Sequence, residues 1–219
     1  MSTYRHEHRA HGRVEVITGG MFSGKSEELV RRLRRAAIAG QAVQVFKPAT
    51  DTRGPAERLV TRDNRELDAE TVASVDEIVS RLDADARVVG IDEAQFFDAS
   101  LADLADRLAD AGVRVIVAGL DLDYRRRPFG PMPLLLARAE YVDKIHAVCV
   151  RCGATAHYSQ RFAGGGEQIQ VGDGEAYEAR CRHCYEEYEA VSAPPDGPGA
   201  REPVATGPGS SRGSGTEEG

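Results

Sequence analysis

Tryptophan is absent from the 219-residue chain, and lysine nearly so: Lys25, Lys47 and Lys144 stand against 25 arginines. Basic residues of both kinds number 28 against 35 acidic ones, leaving a net charge of −7. That balance argues against sequence-independent binding to DNA or anionic lipid, which requires a positive surface. No apolar run approaches the roughly 18 residues of a membrane helix, so no membrane partner is expected. The N-terminal stretch MSTYRHEHRAHGR has no hydrophobic segment of the kind a secretory leader carries. Cysteine occurs only four times, and a chain without a leader is expected in a reducing compartment where disulfides do not persist. The expectation is a soluble cytoplasmic protein. What the chain does have is 41% hydrophobic residues, enough for a core, so wholesale disorder is excluded.

Composition divides the chain into four parts. Residues 1–12 read as a flexible arm holding His6, His8 and His11, too unevenly spaced for a metal site. From Ser192 to Gly219, 12 of 28 residues are Pro or Gly, so 191–219 is expected to be a disordered tail: ordering it would cost about 1–2 kcal/mol per residue with almost nothing to bury. Between them, short β-branched runs alternate with amphipathic helices. Strands are predicted at Val14–Thr18, Val43–Phe46, Arg87–Ile91 and Val113–Ala118. Helices are predicted at Ser26–Ala39, Val75–Leu82 and Leu101–Ala111, and a hairpin over Arg58–Thr71 turning at Asp63-Asn64. Apolar strands separated by helices indicate an α/β fold, a parallel sheet covered on both faces. This pattern fills 13–147. Over 148–190 it gives way to cysteines, glycines and short strands, a small separate unit.

Gly19, Gly20, Met21, Phe22, Ser23, Gly24, Lys25 and Ser26 fit G-x-x-x-x-G-K-[ST], directly after a predicted strand and opening a predicted helix. That is the context in which a phosphate-binding loop works. Gly19 and Gly24 permit backbone angles that let successive N–H groups converge on an anion, and the helix N-terminus adds its dipole. Lys25 would reach the β- and γ-phosphates of ATP, and the Ser26 hydroxyl would ligate Mg²⁺.

Asp92-Glu93-Ala94-Gln95 follows the apolar run RVVGI. An acid at the carboxyl end of a buried strand is where P-loop proteins place a second Mg²⁺ contact, which assigns Asp92. Glu93 is then free to act as general base toward a hydroxyl or water at the γ-phosphate. The alternative is that DEAQ only caps the next helix.

Cys149-x-x-Cys152 and Cys181-x-x-Cys184 are two pairs separated by 28 residues. Each pair can present two thiolates to one tetrahedral zinc. Four cysteines leave no open position for a substrate, so the metal would be structural. The gap exceeds the usual spacing of roughly 15–20 residues. A loop must therefore bulge from the site, and a loop pinned at both ends can close over a ligand.

Together Gly-Met-Phe-Ser-Gly-Lys-Ser at 20–26, Asp-Glu-Ala-Gln-Phe-Phe at 92–97, Gly-Leu-Asp at 119–121, Pro-Phe-Gly at 128–130 and the two C-x-x-C pairs resemble the cellular, zinc-containing (type II) thymidine kinase family from about Val14 to Tyr185. The resemblance implies a P-loop kinase domain with a small zinc-ribbon-like domain carrying a lasso loop. It implies transfer of the ATP γ-phosphoryl group to the 5′-hydroxyl of thymidine, in deoxynucleotide salvage for DNA synthesis. By position, Glu93 would be the proton acceptor, and Gly19–Ser26 with Asp92, Glu93, Ala94 and Gln95 would hold Mg-ATP. Met21, Phe96, Leu120, Tyr124 and Phe129 match positions packing around thymine or its sugar. Val171, Gly172 and Tyr177 match the lasso, and Asp51 and Arg53 a segment lining the phosphate and sugar region. Tyr124 stands where the family commonly has an aromatic without a hydroxyl. The family also implies a homotetramer and feedback inhibition by the end-product triphosphate. Two rival readings are a P-loop kinase for another deoxynucleoside and a zinc-ribbon ATPase dependent on nucleic acid. The second would need a basic face with aromatics interleaved, and Arg125-Arg126-Arg127 is the only such cluster in the body.

Overall fold

A computed structural model describes residues 12–50, 58–60, 66–162 and 176–187, all within one compact unit. The N-terminal arm before Gly12, Asp51, Arg53, the Asp63-Asn64 turn, the lasso positions Val171 and Gly172, and the Pro/Gly-rich tail lie outside the described residues.

The chain begins with β1 (Arg13–Thr18), α1 (Lys25–Ile38) and β2 (Val43–Pro48). A short antiparallel hairpin follows, β3 (Arg58–Val60) against β4 (Glu66–Asp68), with Val60 opposite Glu66. The expected hairpin over Arg58–Thr71 therefore ends early. After Ala69, which is buried, β5 (Glu70–Val72) joins the main sheet parallel to β2. Next come α2 (Val75–Arg81), β6 (Val88–Ile91), a 3₁₀ turn at Ala94–Phe96, α3 (Ser100–Asp110) and β7 (Arg114–Gly119). The body closes with α4 (Met132–Arg138) and β8 (Tyr141–Lys144), neither expected from the sequence. The six sheet strands are all parallel in the order β5-β2-β6-β7-β1-β8.

Alternation along the strands assigns the two faces. Ile17, Val45, Val88, Ile116 and Ala118 pack with Leu29, Val30 and Leu33 of α1. Val14, Val16, Val89, Ile91, Val115 and Val117 point the other way, into a core with Ile78, Leu101, Leu104, Met132 and Leu135 from α2, α3 and α4. All six strands end on the side of the loop after β1, because parallel strands put their carboxyl ends together. That edge is where open α/β sheets bind ligands. Beyond the sheet, β9 (Ala147–Val148) pairs with β10 (Thr155–Ala156), and β11 (Tyr158–Arg161) with β12 (Tyr177–Arg180). Among the described residues, no helix is long and apolar enough to cross a membrane.

One charged residue interrupts the apolar face of β1. Glu15 is 5% exposed and turned toward α1. It accepts from Arg114 at 2.6 Å, Arg13 at 2.7 Å and Arg32 at 3.0 Å, and Arg32 continues to Asp143 at 2.6 Å. The chain of pairs ties β7, β1, α1 and β8 together. Burial would push the Glu15 carboxyl up, but the Arg114 and Arg13 guanidiniums outweigh it and hold it at about 2, below the ordinary 4.5. A carboxylate depressed in the folded state adds stability above its unfolded pKa and loses it as pH falls through the folded one. The contribution is on the order of 3 kcal/mol at neutral pH. Urea denaturation of Glu15→Gln is therefore expected to show lower stability at pH 7 and a flatter decline between pH 4.5 and 2 than the wild type. Parallel declines in both proteins would contradict the assignment.

Candidate active site

The loop after β1 is built on backbone geometry that side chains forbid. Gly19 has φ +139, and a Cβ there would lie 2.0 Å from the Ile145 carbonyl oxygen. Gly24, with φ +87, forms the N-cap of α1, which begins at Lys25 as the motif requires. Gly20 offers its carbonyl to two donors, Lys25 Nζ and Ser23 Oγ, both at 2.8 Å. Lys25 is thus folded back against its own loop, over the start of the helix.

The carboxylate pair meets this loop from β6. Ser26 Oγ donates to Asp92 Oδ2 at 3.0 Å, across a separation of 66 residues. The Asp92 N–H donates to the Phe46 carbonyl at 3.0 Å, which continues the sheet one residue past β6. Asp92 is 4% exposed. Burial first, and then the charge of Glu93, push its carboxyl up to about 7, against the pull of the Ser26 hydroxyl and Lys25. A buried carboxylate beside a P-loop hydroxyl is a hard-oxygen donor set that fits Mg²⁺, and a dication would reverse the sign of that shift.

Glu93 adopts a left-handed backbone, φ +49, and the chain then closes a 3₁₀ turn through Phe96 N–H to the Glu93 carbonyl at 3.1 Å. The side chain of Glu93, the N-cap residue, makes no capping hydrogen bond to this turn. Glu93 accepts instead from Gln95 Nε2. Gln95 and Ala94 are both buried.

The aromatic positions lie on the segments that follow β6 and β7. Phe96 and Phe129 meet edge to face, with ring centroids 5.9 Å apart. Tyr124 and Phe129 are buried, and Leu120 and Met21 half-buried. Two neighbours of this group carry no signal in the sequence pattern. Arg161, fully buried, stacks over Tyr124 at 4.8 Å and over Tyr177 at 6.0 Å. Ser159 accepts from the Met21 N–H at 2.9 Å, joining β11 to the phosphate loop. The strand Tyr158–Arg161 is buried along its whole length despite its polar sequence, so periodicity could not have found it. Tyr177 is brought near Tyr124 through Arg161. Of the arginine cluster, Arg125 lies over Tyr124 and Arg126 over Tyr158 and Tyr185. Arg125 is half-buried, and Arg126 and Arg127 are exposed.

Cys149, Cys152, Cys181 and Cys184 converge so that their sulfurs all lie within 4.8 Å of one another, with Cys152 and Cys181 at 3.6 Å. Four thiols at that spacing fit a tetrahedral zinc with bonds of about 2.3 Å. The first knuckle is closed by Gly153 N–H to the Cys149 carbonyl at 2.8 Å, the second by Tyr185 N–H to the Cys181 carbonyl at 3.0 Å. Tyr185 also donates its hydroxyl to the Tyr124 carbonyl at 2.6 Å, linking the second knuckle to the aromatic group.

A family model described as thymidine kinase matches residues 12–185. Curated proteins named thymidine kinase are similar over the same span. That of Porphyromonas gingivalis is 50% identical over 184 residues, covering 84% of this chain and 88% of its own. That of Bacteroides fragilis is 49% identical over 183 residues, covering 82% and 90%. That of Bdellovibrio bacteriovorus is 51% identical over 182 residues, covering 83% and 89%.

The thiol cluster predicts one zinc per chain. Cys149→Ser is expected to lower the melting temperature by at least about 5 °C and to raise KM for the nucleoside more than KM for ATP. Metal content by emission spectroscopy and thermal melts check it. Unchanged melting and unchanged zinc content in the variant would contradict it.

Proposed function

The chain belongs to the thymidine kinase family, and from that membership we propose how its own residues carry phosphoryl transfer from ATP to thymidine. The reading rests on one observation: the Ser26–Asp92 hydrogen bond joins the phosphate loop to the carboxylate pair at the carboxyl edge of the sheet. The N–H groups of Gly19 to Ser26, at the start of α1, hold the triphosphate, with Asp92 to Gln95 bordering it. Lys25 exchanges the Gly20 carbonyl for phosphate oxygens. Ser26 and Asp92 are the residues that would hold Mg²⁺. When bound, that ion would supply positive charge against the negative charge that develops on the transferred group.

Glu93 accepts the proton of the 5′-hydroxyl. The O5′–Pγ bond forms as the bond from Pγ to the β,γ-bridging oxygen breaks, and ADP leaves with that electron pair. Met21, Phe96, Leu120, Tyr124 and Phe129 enclose the base and sugar. Val171, Gly172 and Tyr177 close over the base from the lasso, which structural zinc at Cys149, Cys152, Cys181 and Cys184 anchors. The family resemblance extends the proposal to a cytoplasmic homotetramer inhibited by its end-product triphosphate. Discrimination among nucleosides then lies in the aromatic enclosure and the lasso.

Glu93→Gln is expected to bind ATP as the wild type does while kcat falls by about 10²–10⁴-fold, read by ADP release with Mg-ATP and thymidine. A wild-type kcat in that variant would sink the base assignment. In the same assay thymidine should exceed deoxyuridine, deoxycytidine, deoxyadenosine and deoxyguanosine. Preference for another of the five would replace the substrate while leaving the loop chemistry intact.

A further inference from the structure

Gln95 is 2% exposed and sits two residues after Glu93, within the 3₁₀ turn. Both ends of its amide are engaged. Oε1 accepts from the Leu120 N–H at 2.9 Å, and Nε2 donates to Glu93 Oε2. A backbone N–H can be met only by the oxygen end, so the Leu120 bond decides which way the amide faces. The nitrogen must then face the Glu93 carboxylate. The pair is charge-assisted, the stronger class of hydrogen bond.

Two glycines make room for this side chain and its backbone. A Cβ on Gly119, at the end of β7, would lie 2.9 Å from Gln95 Oε1. A Cβ on Gly130, whose φ is +50, would lie 2.3 Å from the Gln95 carbonyl oxygen. Glu93, for its part, holds a left-handed backbone that a residue with a Cβ adopts only when its surroundings impose it. Gln95 is therefore gripped from β7 at one end and grips the Glu93 carboxylate at the other.

We propose that Gln95 is a positioning residue that holds the Glu93 carboxylate in one orientation by bridging it to the N–H of Leu120, the residue that follows β7. The proposal rests on Glu93 being the proton acceptor. It assigns the Gln95 side-chain amide to the base, so that only the backbone of this residue is left to border the triphosphate. Leu120 and Phe129, on the loop after β7, stand with the aromatic group that encloses the nucleoside. The amide therefore fixes the base relative to the same segment that would hold the hydroxyl it deprotonates. An orientation error of an ångström in such a group costs about 10²-fold in rate.

Two variants and a double-mutant cycle test this. Gln95→Met fills the volume without a donor or acceptor. Gln95→Glu keeps an acceptor for the Leu120 N–H but replaces the donor at Glu93 with a second carboxyl. In both, kcat is expected to fall about 30- to 100-fold, with KM for thymidine and for ATP within about twofold of wild type. Glu93→Gln/Gln95→Met should be no slower than Glu93→Gln alone, because the positioned group is already lost. A purely structural role would add its loss to that of Glu93→Gln and would follow the melting temperature. Kinetics are read per folded chain; if Gln95→Met does not fold, Gln95→Glu carries the test. A kcat within twofold of wild type in a folded variant, or a raised KM for ATP with kcat unchanged, overturns the proposal. If Glu93→Gln itself keeps wild-type turnover, the base assignment has failed instead, and the two failures are told apart.

Discussion

Negative charge has to be gathered at one edge of this molecule, and most of the architecture answers to that constraint. Asp92, Glu93 and Asp121 stand just past the ends of β6 and β7, where the family's triphosphate would add several more charges. A parallel sheet makes such an edge by aligning its carboxyl ends. The three lysines of an otherwise arginine-based chain are all on it. Lys25 opens α1 after β1, Lys47 is buried near the end of β2, and Lys144 ends β8 directly beside Thr18, the last residue of β1. Lys144 pairs with Asp121. Arginines serve in fixed contacts instead, in the multidentate pairs around Glu15 and in stacking on tyrosines. The division follows chemistry: the ammonium is a compact point charge that can exchange partners, and the guanidinium is a planar fork suited to fixed ones.

The same constraint explains why the four-cysteine segment is tied so closely to the phosphate loop. A Cβ on Gly20 would lie 3.3 Å from the His157 carbonyl, and the Met21 N–H is held by Ser159. On the other side of the aromatic group, Arg161 stacks on Tyr124 and Tyr177, and Tyr185 bonds the Tyr124 carbonyl. A metal that fixes the two knuckles therefore fixes the backdrop of the loop and the aromatic group as well. Zinc in this arrangement would act on the kinase without touching a substrate.

The parts of this design written in side-chain type and spacing are legible in the sequence. Short apolar runs announce β1, β2, β6 and β7, the Gly-rich loop announces a helix opening within a residue of where α1 begins, and paired C-x-x-C announces the thiol cluster. The parts that depend on tertiary contact are not. β8 is exposed along its length and presents no pattern; it exists because β1 offers it an edge. The buried strand Tyr158–Arg161 reads as a polar loop because its stabilisation comes from partners far away in the chain. α4 has seven residues, with Pro131 as its N-cap and Pro133 in its first turn, too few for helical periodicity to emerge. Glu15, a charge between valines, carried a readable signal: a buried carboxylate needs cations, and Arg13 and Arg114 occupy opposed positions on β1 and β7.

Asp92 and Glu93 are adjacent in sequence and chemically alike, so their difference must come from the fold. Asp92 still belongs to the sheet: its N–H continues the ladder, its side chain is sealed, and its partner is the Ser26 hydroxyl. At Glu93 the backbone turns left-handed, which takes the chain out of the sheet direction within one residue. Its carboxylate is half-buried and meets the Gln95 amide instead of a hydroxyl. One strained residue thus separates two environments that a continuing strand would have kept alike. In the proposed mechanism an oxygen ligand should be dry and shared with the phosphate loop, and a base should be oriented yet reachable by a hydroxyl. Burial supplies the first and the left-handed turn with its glutamine brace supplies the second.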